Sequence, residues 1–155
     1  MIGFLGEYEV TMDAKGRFLL PAGFKKQLPE DGANTFVINR GIEQCLSLYP
    51  IKSWEPIFAD INKLNDFDPK VRDFRRYFLN GAIQLELDSA GRLLIPKSLM
   101  EYAGLDKDVV LASAVNKIEI WDKSKYKQFF ETFSRDTFSS LANEVMNRKD
   151  DKLNG

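Results

Sequence analysis

An arginine that directly follows a glycine occurs in two copies of one short motif, and these arginines are the side chains best suited to recognition chemistry. Residues 13–21 read D-A-K-G-R-F-L-L-P and residues 88–96 read D-S-A-G-R-L-L-I-P, so the motif recurs 75 positions later. A guanidinium is a planar fork of N–H donors that suits carboxylates, phosphates and the edge of guanine. The duplication therefore favours recognition over catalysis.

Two interpretations of the arginines are open. In the first, Arg17 pairs with Asp13 and Arg92 pairs with Asp88, and each pair only holds its own loop together. An exposed ion pair contributes roughly 0 to 1 kcal/mol, which is a weak reason for the pattern to occur twice. In the second, which we favour, the aspartates shape the loops and the arginines project outward, where a bidentate contact to guanine discriminates by ~1 to 3 kcal/mol.

Basic side chains are distributed unevenly between the two motifs. Residues 13–28 contain four basic side chains against one acidic side chain, whereas residues 88–103 contain two of each. Lys15 lies in the first loop at the position that Ala90 takes in the second. If the chain binds DNA, the first copy is expected to supply more of the attraction for phosphate.

A third group of arginines precedes the second copy. The pair Asp68-Pro69 predicts a capped helix that runs through about Leu79, with an apolar stripe on one side. Three basic side chains lie three and four positions apart on a different side of that helix: Arg72, Arg75 and Arg76. They could bind phosphate or acidic groups of another subunit, or they could form a solvated helix face.

Composition excludes several classes of protein. The chain has 155 residues, 44% apolar content and a net charge of -1, so it can bury a core but has no general attraction for DNA or anionic membranes. Cys45 is the only cysteine and histidine is absent, which excludes an internal disulfide, cysteine-rich zinc sites and the usual histidine-dependent nucleophiles. Cys45 is predicted to be an inert core residue, with redox sensing as the alternative.

No catalytic or cofactor motif is recognisable in the sequence. Neither glycine loop has the spacing of a phosphate-binding loop, so we predict no cofactor, no metal and no enzymatic activity. Asp13 and Asp88 could form an acid/base pair, but a neighbouring arginine lowers the pKa of an aspartate and disfavours the acid role. No signal peptide or membrane-spanning segment is present, so a cytoplasmic location is expected.

The elements that must position the motifs can be predicted from their patterns. Strands of alternating apolar and polar residues precede each motif, and Gly16 and Gly91 are expected to take the positive φ of a tight turn. Pro21 and Pro96 are expected to open short helices, the first ending at Pro29 and the second capped by Gly104. Further strands are predicted at 35–38, 45–49, 109–112 and 117–121.

Each copy is predicted to close with an amphipathic helix whose aromatic stripe belongs to the core. Ser53 is expected to cap the first of these helices, which places Pro56 in its first turn. The stripes consist of Trp54, Phe58 and Ile61 in the first copy and of Tyr126, Phe129, Phe130 and Phe133 in the second. The predicted organisation is a module at 7–54, a helical connector at 55–82, a module at 83–126, and a C-terminal helix with a frayed tail at 127–155.

The paired D-x-x-G-R loops, the L-L-x-P and L-x-Y-P / I-x-W-D segments, and R-x-x-R-R-Y-F-L-N-G-A before the second copy resemble the MraZ family of bacterial transcription regulators. The resemblance covers nearly the whole chain. It implies an α+β fold of two AbrB-type swapped-hairpin β modules, interlocked as a pseudo-twofold unit, with amphipathic helices after each module.

The resemblance also implies a function. It implies sequence-specific binding to direct repeats of promoter DNA ahead of the cell-division and cell-wall gene cluster, including the protein's own promoter. A nucleoid-associated homo-oligomer, in the form of a ring, is implied as well. DNA contact then falls to Arg17 and Arg92 with Lys15 assisting, and loop shaping falls to Asp13, Gly16, Asp88 and Gly91. The alternative is an antitoxin-like module that binds a protein, because AbrB-type modules also occur in antitoxins.

Overall fold

The computed structural model describes residues 3–148. The chain divides after Lys123 into two compact units, and the first of them contains all the strands of the described residues. The predicted α+β class is confirmed. The elements are β1 (Glu7–Thr11), β2 (Arg17–Leu19), α1 (Ala22–Lys25), β3 (Thr35–Arg40), β4 (Leu46–Pro50), α2 (Ile51–Asn62), α3 (Pro69–Asn80), β5 (Ile83–Glu86), β6 (Arg92–Leu94), α4 (Lys97–Ala103), β7 (Asp108–Ser113), β8 (Ile118–Asp122), α5 (Lys123–Phe130) and α6 (Arg135–Met146).

Six strands form one antiparallel sheet in the order β1-β7-β8-β4-β3-β5. The first strand of each copy pairs with a strand of the other copy. In β1, Glu7 lies opposite Ala112 of β7, and in β5, Ile83 lies opposite Ile38 of β3. Strands that are distant in the sequence are therefore neighbours at both edges of this sheet.

The remaining strands, β2 and β6, form a separate two-stranded antiparallel sheet, which we call the ribbon. Arg17 lies opposite Leu94, and Leu19 lies opposite Arg92. Two further backbone hydrogen bonds extend the pairing, from Leu20 N–H to the Gly91 carbonyl at 3.1 Å and from Ile95 N–H to the Gly16 carbonyl at 3.0 Å. The two motifs are thus joined to each other with matching geometry.

One hydrophobic core supports both the ribbon and the main sheet. Phe18 and Leu93, the central residues of β2 and β6, are fully buried within it. Other core residues come from both copies: Phe24, Phe36, Ile38, Leu46, Leu48, Leu99, Val109, Leu111, Ile118 and Ile120. Because burial of apolar surface is the main stabilising contribution, the ribbon is held in place by residues of both copies.

Two predicted helix ends are confirmed. Asp68 caps α3, where its carboxylate accepts a hydrogen bond from Lys70 N–H at 2.9 Å and Pro69 is the first helical residue. Gly104 caps α4 in the left-handed conformation, with φ of 60°. None of the helices within residues 3–148 is long and apolar enough to cross a membrane.

Other helix ends differ from the prediction. Helix α1 ends at Lys25 and not at Pro29, and Pro21 and Pro96 are N-cap residues directly before the first helical turn. The prediction that Ser53 caps α2 was wrong, because β4 runs straight into a helix whose N-cap is Pro50. Pro56 therefore lies inside the helix, where its missing N–H removes one backbone hydrogen bond.

The aromatic stripes are only partly in the core. The burial of Trp54 and Ile61 is confirmed, whereas the prediction was wrong for a set of phenylalanines that are 41 to 43% exposed: Phe58, Phe129, Phe130 and Phe133. In the second unit, α5 ends before Phe133, and Ser134 caps α6 through a hydrogen bond from Thr137 N–H at 3.1 Å. This cap splits the expected single helix in two. The predicted frayed tail lies outside the described residues from position 149 onward.

Candidate nucleic-acid interface

Asp13 organises the first loop, residues 13–17. One carboxylate oxygen, Oδ1, accepts hydrogen bonds from the backbone N–H groups of Lys15 at 3.0 Å and Arg17 at 2.9 Å. Asp13 N–H donates to the Arg17 carbonyl at 2.9 Å, which closes the loop, and Gly16 takes a φ of +86°. A side chain at Gly16 would be strained in this conformation, so glycine is required by the turn.

The second loop, residues 88–92, repeats this arrangement. Oδ1 of Asp88 accepts from the backbone N–H groups of Ala90 and Arg92, both at 2.9 Å. Asp88 N–H donates to the Arg92 carbonyl at 2.9 Å, and Gly91 takes a φ of +81°. The two loops therefore present their arginines in the same local geometry, as their shared sequence predicts.

Each arginine pairs with the aspartate of its own loop. Arg17 Nε donates to Asp13 Oδ2 at 2.7 Å, and Arg92 Nε donates to Asp88 Oδ2 at 2.9 Å. The backbone N–H of the arginine, followed by its side chain, lowers the pKa of both aspartates below the ordinary value of 3.8. Both carboxylates are thus ionised at neutral pH, where they can hold a guanidinium but cannot act as general acids.

The ion pairs leave both arginine side chains partly exposed. The side chains of Arg17 and Arg92 are 27% and 37% exposed, and their Nη groups have no hydrogen-bond partner among residues 3–148. The two interpretations of the motif are therefore compatible. Nε holds the loop, and the Nη groups are available for a ligand.

The ribbon brings the two arginines onto one face. Because Phe18 and Leu93 point into the core, their neighbours in the strands point away from it. This outward face consists of Arg17, Leu19, Arg92 and Leu94. The arginines are diagonal neighbours across the two strands, for which the side chains start roughly 7 to 8 Å apart.

Each loop also lies beside the short helix of the other copy. A Cβ atom built at Gly16 would lie 3.1 Å from Met100 Sδ of α4, and one built at Gly91 would lie 3.5 Å from Lys25 Nζ of α1. Lys97 of α4 lines a cleft of about 640 Å³ together with Lys15 and Gly16 of the first loop. Each loop is therefore accompanied by a lysine from the other copy.

The sequence did not reveal that each loop lies beside a lysine of the other copy. Lys25 was counted with the first loop, yet its amino group lies at the second loop, which has no lysine of its own. The position could have been found from the repeat, since Lys25 and Met100 are 75 residues apart and therefore equivalent. Because the two copies pair with each other, the equivalent side chains take equivalent places: Met100 lies at the first loop and Lys25 lies at the second loop.

The other arginines predicted as candidates lie away from the ribbon, at the turn between α2 and α3. Arg75 forms an ion pair with Asp66 and donates from Nη2 to the carbonyls of Ile61 at 3.2 Å and Leu64 at 3.0 Å. Arg72 donates to the Asp66 carbonyl at 2.9 Å. Arg76 pairs with Asp73 at 3.3 Å and is the most exposed of the three. Arg72 and Arg75 thus hold the turn itself.

The predicted burial of Cys45 is confirmed. Burial, together with the nearby charges of Glu119 and Glu43, raises the pKa of the thiol to about 12. A thiol with such a pKa is almost entirely protonated at neutral pH and is a poor nucleophile.

Comparison with known proteins agrees with the repeat. Residues 3–77 and 78–149 each match the family model described as "MraZ protein, putative antitoxin-like". The chain is 48% identical over 151 residues to "Transcriptional regulator MraZ" of Christiangramia forsetii, with 97% of each chain covered. It is 47% identical over 148 residues to the protein of that name from Flavobacterium psychrophilum, covering 95% of this chain and 94% of the relative.

A third relative of the same name, from Cytophaga hutchinsonii, is 42% identical over 143 residues, which cover 92% of this chain and 94% of the relative. The full-length matches agree with the two motifs that the structure joins in one ribbon. The chain belongs to the MraZ family of transcriptional regulators.

Proposed function

We propose that the protein regulates transcription by sequence-specific binding of double-stranded DNA, and that the outward face of the ribbon enters the major groove. The observation that supports this most directly is the pair of partly exposed arginines on one face, with Nε of each held by an aspartate. The major groove admits a two-stranded β-ribbon, and the commonest specific contact there is arginine to guanine O6 and N7. The aspartates orient each guanidinium by holding Nε.

Neighbouring side chains have supporting roles in this proposal. Lys15 and Lys97 at the first loop, and Lys25 at the second loop, supply attraction for the phosphates that flank the groove. Asp13, Gly16, Asp88 and Gly91 fix the two loops. A secondary contact to phosphate or to another subunit at the α2–α3 turn rests on Arg76, since Arg72 and Arg75 are hydrogen-bonded within that turn.

The proposed targets are direct repeats ahead of the cell-division and cell-wall gene cluster, including the protein's own promoter. Membership of the family supports this assignment. The net charge of -1 makes binding at one site weak, so we propose a homo-oligomeric ring that engages several repeats at once. Tethering of identical sites raises avidity by ~10² to 10⁴ when the spacing of the sites matches.

The central experiment is a gel-shift on DNA from upstream of the protein's own gene. We expect Arg17→Ala and Arg92→Ala each to weaken binding by about 5- to 150-fold, because one bidentate contact to guanine is lost. Arg135→Ala is the matched control, since Arg135 is an exposed arginine in the second unit. If both loop variants bind as the parent does, while circular dichroism shows an intact fold, the assignment of the site is wrong.

A second experiment addresses the assembly. DNA with several repeats should bind far more tightly than DNA with one repeat, at the same total site concentration. Equal affinity for the two DNAs would contradict the multivalent mechanism. Binding should also fall steeply with added salt.

The description of the matching family as antitoxin-like favours a second candidate function, the binding of a small protein toxin. The two candidate functions predict different binding partners for the protein. Purification of the protein from its native cells with a stoichiometric small partner, without retention on its own promoter, would support the second candidate.

A further inference from the structure

The outward face of the ribbon contains two exposed leucines beside its two arginines. Leu19 and Leu94 are 58% and 53% exposed. A single exposed leucine is ordinary in a folded protein. Here, however, both leucines occupy the same place in the two copies, on the face that carries the accessible guanidinium groups.

We propose that Leu19 and Leu94 contact the C5-methyl groups of thymines next to the guanines that the arginines bind. This inference rests on the proposed DNA-binding function and adds a second base type to what the ribbon reads. The C5-methyl of thymine is the apolar group that bases present in the major groove, and it is the natural contact there for an apolar side chain.

The register of the ribbon sets the spacing of these contacts. Leu94 lies directly opposite Arg17, and Leu19 lies directly opposite Arg92. Directly opposed side chains start roughly 4.5 to 5.5 Å apart, while successive bases of one strand are about 3.4 Å apart along the helix axis. A leucine is therefore placed to reach a base within one or two steps of the guanine bound by its opposed arginine.

The surroundings of the leucines favour DNA over an apolar protein surface. A Cβ built at Gly91 would lie 3.7 Å from Leu19 Cδ1, so Leu19 lies against the second loop, near Lys25. Leu94 lines the cleft that also contains Lys15 and Lys97. An apolar partner covering this face would bury the Nη groups of both arginines without acceptors, which is costly. DNA offers hydrogen-bond acceptors to the arginines and thymine methyl groups to the leucines, so it suits both kinds of side chain on this face.

The test removes single methyl groups from the DNA. Each thymine of a bound repeat is replaced in turn by deoxyuridine, which lacks only the C5-methyl. The affinity of the parent protein should fall about three- to fivefold at one or two positions, as expected for one apolar contact of methyl size. In Leu19→Ala or Leu94→Ala the penalty at the matching position should disappear, and the penalty at the other position should remain.

Leu5→Ala is the control variant, because Leu5 is 80% exposed and lies outside the ribbon. It should retain every deoxyuridine penalty of the parent. Both ribbon leucines are largely exposed, so the alanine variants should keep the fold, which circular dichroism checks. The free variants are also compared with the parent by sedimentation.

Three outcomes would overturn the inference. Penalties that persist unchanged in both leucine variants would show that the methyl groups are not read by these side chains. A bound repeat in which no deoxyuridine lowers affinity, although Arg17→Ala still does, would leave DNA binding standing and remove only this inference. A change in the oligomeric mass of the leucine variants would assign the leucines to a contact between copies instead.

Discussion

At the scale of single residues, Asp13 and Asp88 each use one carboxylate to accept three hydrogen bonds. Two come from backbone N–H groups and one comes from the arginine side chain of the same loop. A guanidinium held in this way loses less conformational freedom on binding than a mobile one. Lysine could not replace these arginines, since it lacks both the Nε donor and the planar fork.

The lowered pKa of the two aspartates predicts how binding responds to pH. The ionised carboxylates stabilise the two loops. This stabilisation is fully present above the ordinary aspartate pKa, and it is lost as the pH falls through the lowered pKa values, below 3.8. The chain also has no histidine, the side chain that normally titrates between about pH 5 and 8. DNA affinity at constant salt, measured by fluorescence anisotropy, should therefore be constant over that range. A change of more than about threefold would contradict this account of the loops.

The conformation of each loop could be predicted from the sequence because aspartate, glycine and arginine act there within five consecutive residues. The position of Lys25 could not be predicted in the same way, since its partner Gly91 lies 66 residues away in the chain. Long-range neighbours follow from topology, which local patterns do not contain.

At the scale of elements, the short helices and the ribbon act together. Lys25 is the last residue of α1 and Lys97 is the first residue of α4, and each lies beside a loop of the other copy. The helices therefore add one lysine to the surroundings of each loop. The salt dependence of binding measures how many such cations contact phosphate.

We expect Lys25→Ala and Lys97→Ala each to reduce the slope of log affinity against log salt by about 0.9, the effect of one phosphate contact. The slope is measured by anisotropy over a series of salt concentrations. Lys26→Ala is the matched control, since Lys26 is adjacent to Lys25 and exposed. If both variants have the same slope as the parent and the control, neither lysine contacts phosphate.

The turn between α2 and α3 gives a prediction about stability. Arg75→Met should lower the free energy of unfolding by about 1 to 3 kcal/mol, because the carbonyls of Ile61 and Leu64 lose their donor. Arg76→Met is the control, since Arg76 is exposed and should change stability by at most about 0.5 kcal/mol. Urea unfolding measures both. Equal stability of the two variants would show that Arg75 does not hold the turn.

Sequence patterns predicted the elements better than their packing. The helix over α3 and its cap were predictable because Asp68 and Pro69 act locally. The exposure of Phe58, Phe129, Phe130 and Phe133 was not, since helical spacing indicates an apolar face without indicating what covers it. The prediction that Ser53 caps α2 failed for a similar reason, because a strand that leads directly into a helix needs no separate cap.

At the scale of the whole molecule, neither copy completes its own sheet. Strand β1 pairs with β7, β5 pairs with β3, and β2 pairs with β6. The buried cluster likewise draws on both copies. The two motifs are consequently parts of one cooperative unit, and the ribbon exists only when both halves are folded together.

This dependence can be tested with a fragment. Residues 1–66 alone should be poorly folded or should self-associate, because β1, β2 and β3 then lack their partners β7, β6 and β5. Circular dichroism and sedimentation measure the two outcomes, with the full chain as control. A well-folded monomer of this fragment would contradict the account.

The pairing of Glu7 with Ala112 has a consequence for biosynthesis. The amino-terminal strand leaves the ribosome long before its partner, and at about 5 to 20 residues per second the delay is roughly 5 to 20 s. During that interval β1 of the nascent chain has no partner strand. A polypeptide that is cut short before Leu94 therefore lacks the β6 strand and cannot form the ribbon on which the proposed DNA binding depends.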